Sequence, residues 1–262
     1  MCGRYAAARE TEAVVAVLSD LGIRIGEVSE EARSVPPSYN VAPTRVGVVA
    51  VAPRPAGENA DSPEAPGWRM EALSWGLVPS WAKDTRGGSR MINARVETLA
   101  DKPAFRGLLR SRRCLVPADG WFEWQAAPGS SNLAKQPFLV HPVEDPLLMF
   151  AGLFTWWRER AGDRREPGPW FGSYTVLTTA ADPELAWLHD RMPVALPRDA
   201  WSDWVPTTPA PGELDDSAAR HLLADALAAG HPRLGWHPVD RRVGAVANDD
   251  PSLVRPWVPA TE

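Results

Sequence analysis

Arg113-Cys114-Leu115-Val116-Pro117-Ala118-Asp119-Gly120-Trp121-Phe122-Glu123-Trp124 is the stretch whose reading decides the fold. Cys114 to Val116 and Trp121 to Trp124 are short, apolar and rich in β-branched or aromatic residues, and Pro, Asp and Gly separate them. That pattern predicts two strands rather than one helix. Working outward, Arg45 to Ala52, Met70 to Trp75, Phe138 to His141, Leu147 to Trp156 and Tyr174 to Thr179 read as further strands, with a short extended start at Cys2 to Tyr5. Helices are expected at Thr11 to Leu21 (capped by Thr11 and ended by Gly22), Pro103 to Arg113, Pro183 to His189 (capped by Asp182) and Asp216 to Ala229. Val35 to Pro43 reads as proline-punctuated loop, and Trp75 to Trp81 as a tight aromatic loop. Short strands mixed with separate helices predict an α+β fold. Its core is an antiparallel, partly barrel-like sheet with flanking short helices.

The chain of 262 residues has no repeat and no long linker, so one domain spanning 1–262 is expected. Pro53 to Gly67 and Arg158 to Gly172 read as surface insertions, and Ala126 to Ala134 as a loop. A net charge of −5 argues against a generic nucleic-acid binder. The charge is uneven, however: Lys83 to Arg113 carries nine basic residues against three acidic ones.

No charged-then-apolar leader opens the chain, and no apolar run reaches membrane-spanning length. A cytoplasmic protein is expected, nucleoid-associated in a prokaryote or nuclear in a eukaryote, with reduced thiols and no membrane partner. Two cysteines exclude a disulfide framework, and five scattered histidines add no metal-ligand spacing. Neither metal nor cofactor is expected.

Cys2 is the sharpest chemical clue. Removal of Met1 would leave a free amine and a thiol on adjacent carbons. An α-amine has a reference pKa of about 7.7–8.0 and a thiol about 8.5, so a neutral amine is available near pH 7. Such a 1,2-aminothiol condenses with an aldehyde to an imine, and the thiol then closes a five-membered thiazolidine. Three polar residues sit in unusual settings: Asn93 after Met91-Ile92, Glu123 in an aromatic strand, and His189 before Asp190-Arg191. A turn cap, a water-facing strand residue and a helix-terminal histidine are the plain explanations. Convergence on Cys2 would instead supply an acid and an imidazole to move protons. Arg4, Arg95, Arg106 and Arg191 are candidate phosphate ligands. Trp75 and Trp81 would stack on unpaired bases if exposed, or belong to the core if not. Cys114 reads as a buried, inert thiol.

Several segments, in order, resemble the SRAP family (SOS response-associated peptidase). They are Met1-Cys2-Gly3-Arg4-Tyr5, Tyr39 to Thr44, Trp75 to Trp81, Asn93 to Thr98, Phe105 through Pro117 to Trp124, and Thr178-Thr179-Ala180 with His189-Asp190-Arg191-Met192-Pro193. A weaker likeness continues to Val246-Ala247-Asn248. The resemblance implies a domain that binds single-stranded DNA and crosslinks itself to abasic sites. It implies Cys2 as nucleophile, Asn93 as its positioner and Glu123 as proton carrier. His189 would help open the deoxyribose and reverse the crosslink. Arg4, Arg95 and Arg191 would hold phosphates, while Trp75 and the Asn40 to Pro43 loop would shape the groove. The peptidase of the family name would remove the residue before Cys2. Two other functions use overlapping residues: a cysteine peptidase acting on proteins, and a non-catalytic binder of modified DNA.

Overall fold

The two strands of the deciding stretch do form, but they belong to different sheets. The computed structural model describes residues 2–53, 67–125, 135–159, 168–207 and 212–258. Most of the expected 53–67 insertion, the 126–134 loop and the centre of the 158–172 insertion lie outside these residues. Fourteen strands are present among the described residues: β1 (Tyr5–Ala7), β2 (Ile25–Val28), β3 (Ser38–Val41), β4 (Val46–Val51), β5 (Trp68–Trp75), β6 (Asn93–Arg95), β7 (Arg113–Ala118), β8 (Gly120–Gln125), β9 (Gln136–Pro142), β10 (Leu148–Trp157), β11 (Phe171–Ala180), β12 (Arg191–Pro193), β13 (Ala195–Leu196) and β14 (Leu234–Pro238). The α-helices are α1 (Thr11–Asp20), α2 (Glu30–Arg33), α3 (Val96–Leu99), α4 (Pro103–Ser111), α5 (Trp201–Trp204) and α6 (Asp216–Ala228).

β7 joins the larger sheet between β10 and β4, whereas β8 joins β1 and β9 in a sheet ordered β14-β9-β8-β1-β3. Asp119 sits at the joint, accepting from the backbone N–H of Ala8 at 2.6 Å and from Arg9 Nε at 2.8 Å. In the larger sheet, β11, β10, β7, β4 and β5 pair in turn, and β5 pairs back in parallel with β11 through Ser74↔Ser173 and Trp75↔Tyr174. The five strands therefore close into a barrel, which removes the unpaired edges of an open sheet. Gly76, at φ 127°, turns the chain out of β5, and a side chain there would collide with the Gly88 carbonyl.

Alternation along the barrel strands separates two cores. Val49, Val51, Cys114, Val116, Leu148, Phe150, Tyr174 and Val176 pack with Cys2 and Tyr5 in one buried cluster. Ala50, Leu115, Met149, Ala151 and Leu177 face the other way, against the helices. Burying a side chain of this size stabilises by roughly 1.5–3 kcal/mol, so each core holds its layer firmly. A third cluster, with Phe122, Leu139 and Val243, covers the opposite face of β8. Glu123 consequently sits on a strand covered on both sides and is only 4% exposed, not the water-facing position that alternation alone allows.

Other local expectations are corrected. The 35–43 segment contains β3, because Val41 and Ser38 pair with Tyr5 and Ala7 of β1, and Pro36-Pro37 merely precede the strand. Thr11 is the first helical residue of α1, not its cap; its hydroxyl donates to the Ala32 carbonyl at 2.6 Å. The extended start becomes a strand only at Tyr5. α4 stops at Ser111, and Phe171 and Gly172 already belong to β11. Pro183 to His189 is a chain of turns rather than a helix. Leu185 and Leu188 are instead drawn into the barrel core, while Asp182 pairs with His231 at 3.3 Å. β2 and β14 carry no clear alternation and are defined by their partners alone.

Candidate functional site

Cys2 is fully buried at the end of the barrel core. Its backbone carbonyl accepts a hydrogen bond from Asn93 Nδ2 at 2.7 Å. β6 places that amide by pairing in parallel with β11, Asn93 opposite Val176. The carbonyl of the preceding residue, Ile92, takes bonds from the Trp75 indole N–H (2.9 Å) and the Val176 N–H (3.0 Å). Asn93 is therefore held from both sides. Its own Oδ1 is buried without a partner among the described residues.

Glu123 arrives from β8. Tyr5 pairs with Trp121, and the Phe122 N–H donates to the Arg4 carbonyl at 3.0 Å, so the same register carries Glu123 alongside the chain start. Burial pushes its carboxyl up to about 7, against the pull of the positive charge at the chain start. Burial, and next the Glu123 charge, push the Cys2 thiol up, so sulfur holds its proton at neutral pH. His189 lies in the turn after Leu188. Its pKa is lowered, first by burial and then by the same positive chain start. Two groups compete for His189 Nδ1: the Arg191 N–H at 2.9 Å and Asp190 Oδ1 at 2.7 Å. Asp190 is 86% exposed, so water screens its charge. Asn93 touches Cys2 directly, the Glu123 charge bears on the Cys2 thiol, and His189 follows Leu188, which packs in the same buried cluster as Cys2.

The expected DNA ligands divide. Arg4 Nη1 donates to Asn40 Oδ1 at 2.8 Å and to the Val243 carbonyl at 3.0 Å. Asn40 in turn donates through Nδ2 to the carbonyls of Val243, Ala245 and Asn248. Arg191 makes a two-pronged pair with Glu97, at 2.5 and 3.0 Å, and donates to the Thr178 carbonyl. Arg95 is exposed beside Glu97. Pro43 is half-buried, next to Thr44, whose φ of 71° is rare for a β-branched residue. That loop is latched to Trp75 by the Thr44 N–H at 2.8 Å.

Trp75 is itself fully buried, edge-on to Tyr5 at 5.1 Å, and so cannot stack on a base; it supports the loop and Ile92 instead. Trp81 is 56% exposed. Arg106 is also exposed, on α4, whose buried Phe105 and Leu109 pack into the outer core away from Cys2. Within the basic 83–113 stretch, Arg86 pairs with Asp84 and Arg110 with Glu213, while Arg113 donates to the carbonyls of Leu109, Arg110 and Trp204. Those three cations have structural duties.

Sequence reasoning missed two features. The Tyr5 and Tyr174 hydroxyls share a buried 2.6 Å hydrogen bond in the same core as Cys2, made possible by Gly47, where any side chain would collide with both hydroxyls. No spacing in the chain announces that pair. Glu97, the Arg191 partner, was visible as one of the few acids in the basic stretch.

A closed β-barrel with a buried cysteine at its N-terminal end, clamped by an asparagine and flanked by a carboxyl and an imidazole, defines a narrow class. The sequence profile of the SOS response associated peptidase (SRAP) family matches residues 1–246. The chain belongs to that family. It is 31% identical over 259 residues to the abasic site processing protein YoqW of Bacillus subtilis, covering 97% of this chain and 99% of that one. YoaM of the same organism, also an abasic site processing protein, is 37% identical over 169 residues, 64% of this chain and 66% of its own length. A crystal structure of a protein from Bacteroides thetaiotaomicron shares the fold with a TM-score of 0.72 at 20% identity, covering 98% of this chain and all of that one. No helix among the described residues is long and apolar enough to cross a membrane, and no group of three or more potential metal ligands occurs among them.

Proposed function

We propose that this protein processes abasic sites in single-stranded DNA by covalent capture through Cys2 after loss of Met1. The observation that carries this reading is the Asn93 clamp on the Cys2 carbonyl, with Glu123 alongside. Relatives named as abasic site processing proteins support it.

In this scheme the freed amine adds to the aldehyde carbon of the ring-opened sugar. Loss of one water gives an imine. The thiol sulfur then bonds to the imine carbon, and its proton ends on nitrogen. Two bonds to carbon form, the C=O bond is lost, and no oxidant is needed. A carboxyl with a pKa of about 7 suits both proton steps: it donates to the departing hydroxyl and accepts from sulfur. Holding the thiol protonated disfavours attack on an unactivated peptide bond, while an imine is electrophilic enough once Glu123 takes the proton. His189 assists opening of the deoxyribose and reversal of the ring. Exposed Arg95, two residues from Asn93, would meet a backbone phosphate; Arg4 and Arg191 would share donors with their internal partners.

Denaturing electrophoresis with a single-stranded abasic oligonucleotide tests the reading. A shifted band is expected with the native chain and none with Cys2→Ala. A shifted band of undiminished yield from Cys2→Ala would overturn it.

A further inference from the structure

The sheet face that presents Glu123 does not end there. Glu123 pairs across strands with Phe138, Trp121 with Val140, and Val140 with Trp236, so these side chains share one face from β8 through β9 to β14. The inner part is core: Trp121 and Val140 are buried. The outer part is open. Trp187 is 43% exposed and Trp236 37%. Phe138 meets Trp187 edge-on at 5.1 Å, and Trp187 meets Trp236 at 6.2 Å with a 57° tilt. Neither indole is stacked face-on against its neighbour, which leaves ring faces available.

This ladder is also fixed in place. Trp187 lies in the 183–189 turn, two residues before His189. That turn is anchored by buried Leu185 and Leu188 and by the Asp182–His231 pair at 3.3 Å. Exposed, preorganised aromatics are costly for a protein to leave uncovered and are suited to a flat apolar ligand. Lys135, exposed immediately before β9, is close enough to bear on the His189 charge. A cation beside ring faces suits a nucleic-acid strand, with bases on the rings and phosphate at the ammonium.

We propose that Phe138, Trp187 and Trp236 form a stacking platform for unpaired bases flanking the captured nucleotide, with Lys135 at its edge for a phosphate. This rests on the single-stranded DNA reading of the Cys2 site and adds a base-contacting surface to it. Stacking accepts any base, so the platform selects unpaired strand over duplex without reading sequence.

The test is equilibrium binding of an undamaged 12-nucleotide single strand carrying 2-aminopurine, with adduct yield on an abasic strand measured separately. Trp187→Ala and Trp236→Ala are each expected to weaken binding about tenfold and to lose the quenching of 2-aminopurine. Trp187→Phe and Trp236→Phe should keep most of both. Trp170→Ala, an exposed tryptophan (61%) outside the ladder, should bind as the native chain does. Native affinity in both alanine variants overturns the platform, as does failure of the native chain to bind the strand. Trp-dependent binding without any adduct would uphold the platform and sink the Cys2 reading. Adducts at full rate with unaffected alanine variants would do the reverse.

Discussion

Asn93 reaches across 91 residues of sequence to hold the Cys2 carbonyl at 2.7 Å. The bond fixes the backbone of the residue that, on the proposed reading, carries both amine and thiol once Met1 is lost, so that site would be set before any substrate arrives. Asn93→Ala removes that donor. One lost hydrogen bond of this kind costs about 1–1.5 kcal/mol, so adduct formation should slow about tenfold. Affinity for undamaged single strand should not change. Single-turnover crosslinking beside equilibrium binding checks this; equal losses in both would show that Asn93 acts on the DNA instead.

Glu123 ties activity to pH and opposes stability. Its folded pKa of about 7 lies above the ordinary ~4.3 of a glutamate. Between those values the folded chain keeps a proton that the unfolded chain has lost, so stability falls as pH rises through this window and levels off above it. Glu123→Gln removes the effect. The variant should match the native chain near pH 4 and exceed it by on the order of 2 kcal/mol at pH 8 in urea unfolding. Its adduct rate should drop about 10²-fold. A native chain as stable at pH 8 as at pH 5, relative to the variant, would contradict the raised pKa.

Asn40 is the hub of a polar knot, receiving Arg4 and holding three carbonyls of the 243–248 turn. Asn40→Ala leaves buried acceptors unmatched and should cost roughly 2–4 kcal/mol. A Tm lower by on the order of 5–10 °C is the expected readout in calorimetry. An unchanged Tm would mean that the knot is not structural and that Asn40 is free to serve a ligand.

Trp75, being buried, has no face to offer a base. Trp75→Phe keeps the ring but loses the bond to the Ile92 carbonyl, beside Asn93. Adduct formation should slow a few-fold, in keeping with about 1 kcal/mol, while single-strand affinity stays native. A large loss of affinity would restore Trp75 as a stacking residue.

Legibility followed the range of the forces involved. Arg113–Ala118 and Gly120–Gln125 were readable because their apolar, β-branched and aromatic content and the turn residues between them are local. Cys2 stood out for its place at position 2, and Asn93, Glu123 and His189 as polar groups in apolar or turn-rich settings; Asn93 bonds the Cys2 carbonyl and the Glu123 charge bears on its thiol. Trp75 was ambiguous because its burial depends on Tyr5 and Ile92, 70 and 17 positions away in the chain. The expected Pro183–His189 helix is a set of turns because Leu185 and Leu188 answer to the barrel core, not to helical period. Arg4 and Arg191 have the right chemistry for phosphate, but nothing local shows that Asn40 and Glu97 already engage them.

Capture by a freed amine and its neighbouring sulfur is tested most directly by intact mass after incubation with a single-stranded abasic oligonucleotide and full denaturation. The expected species weighs the chain without Met1, plus the oligonucleotide, less one water, and proteolysis places the bond at residue 2. A covalent species that retains Met1, or one attached at any other residue, would contradict it.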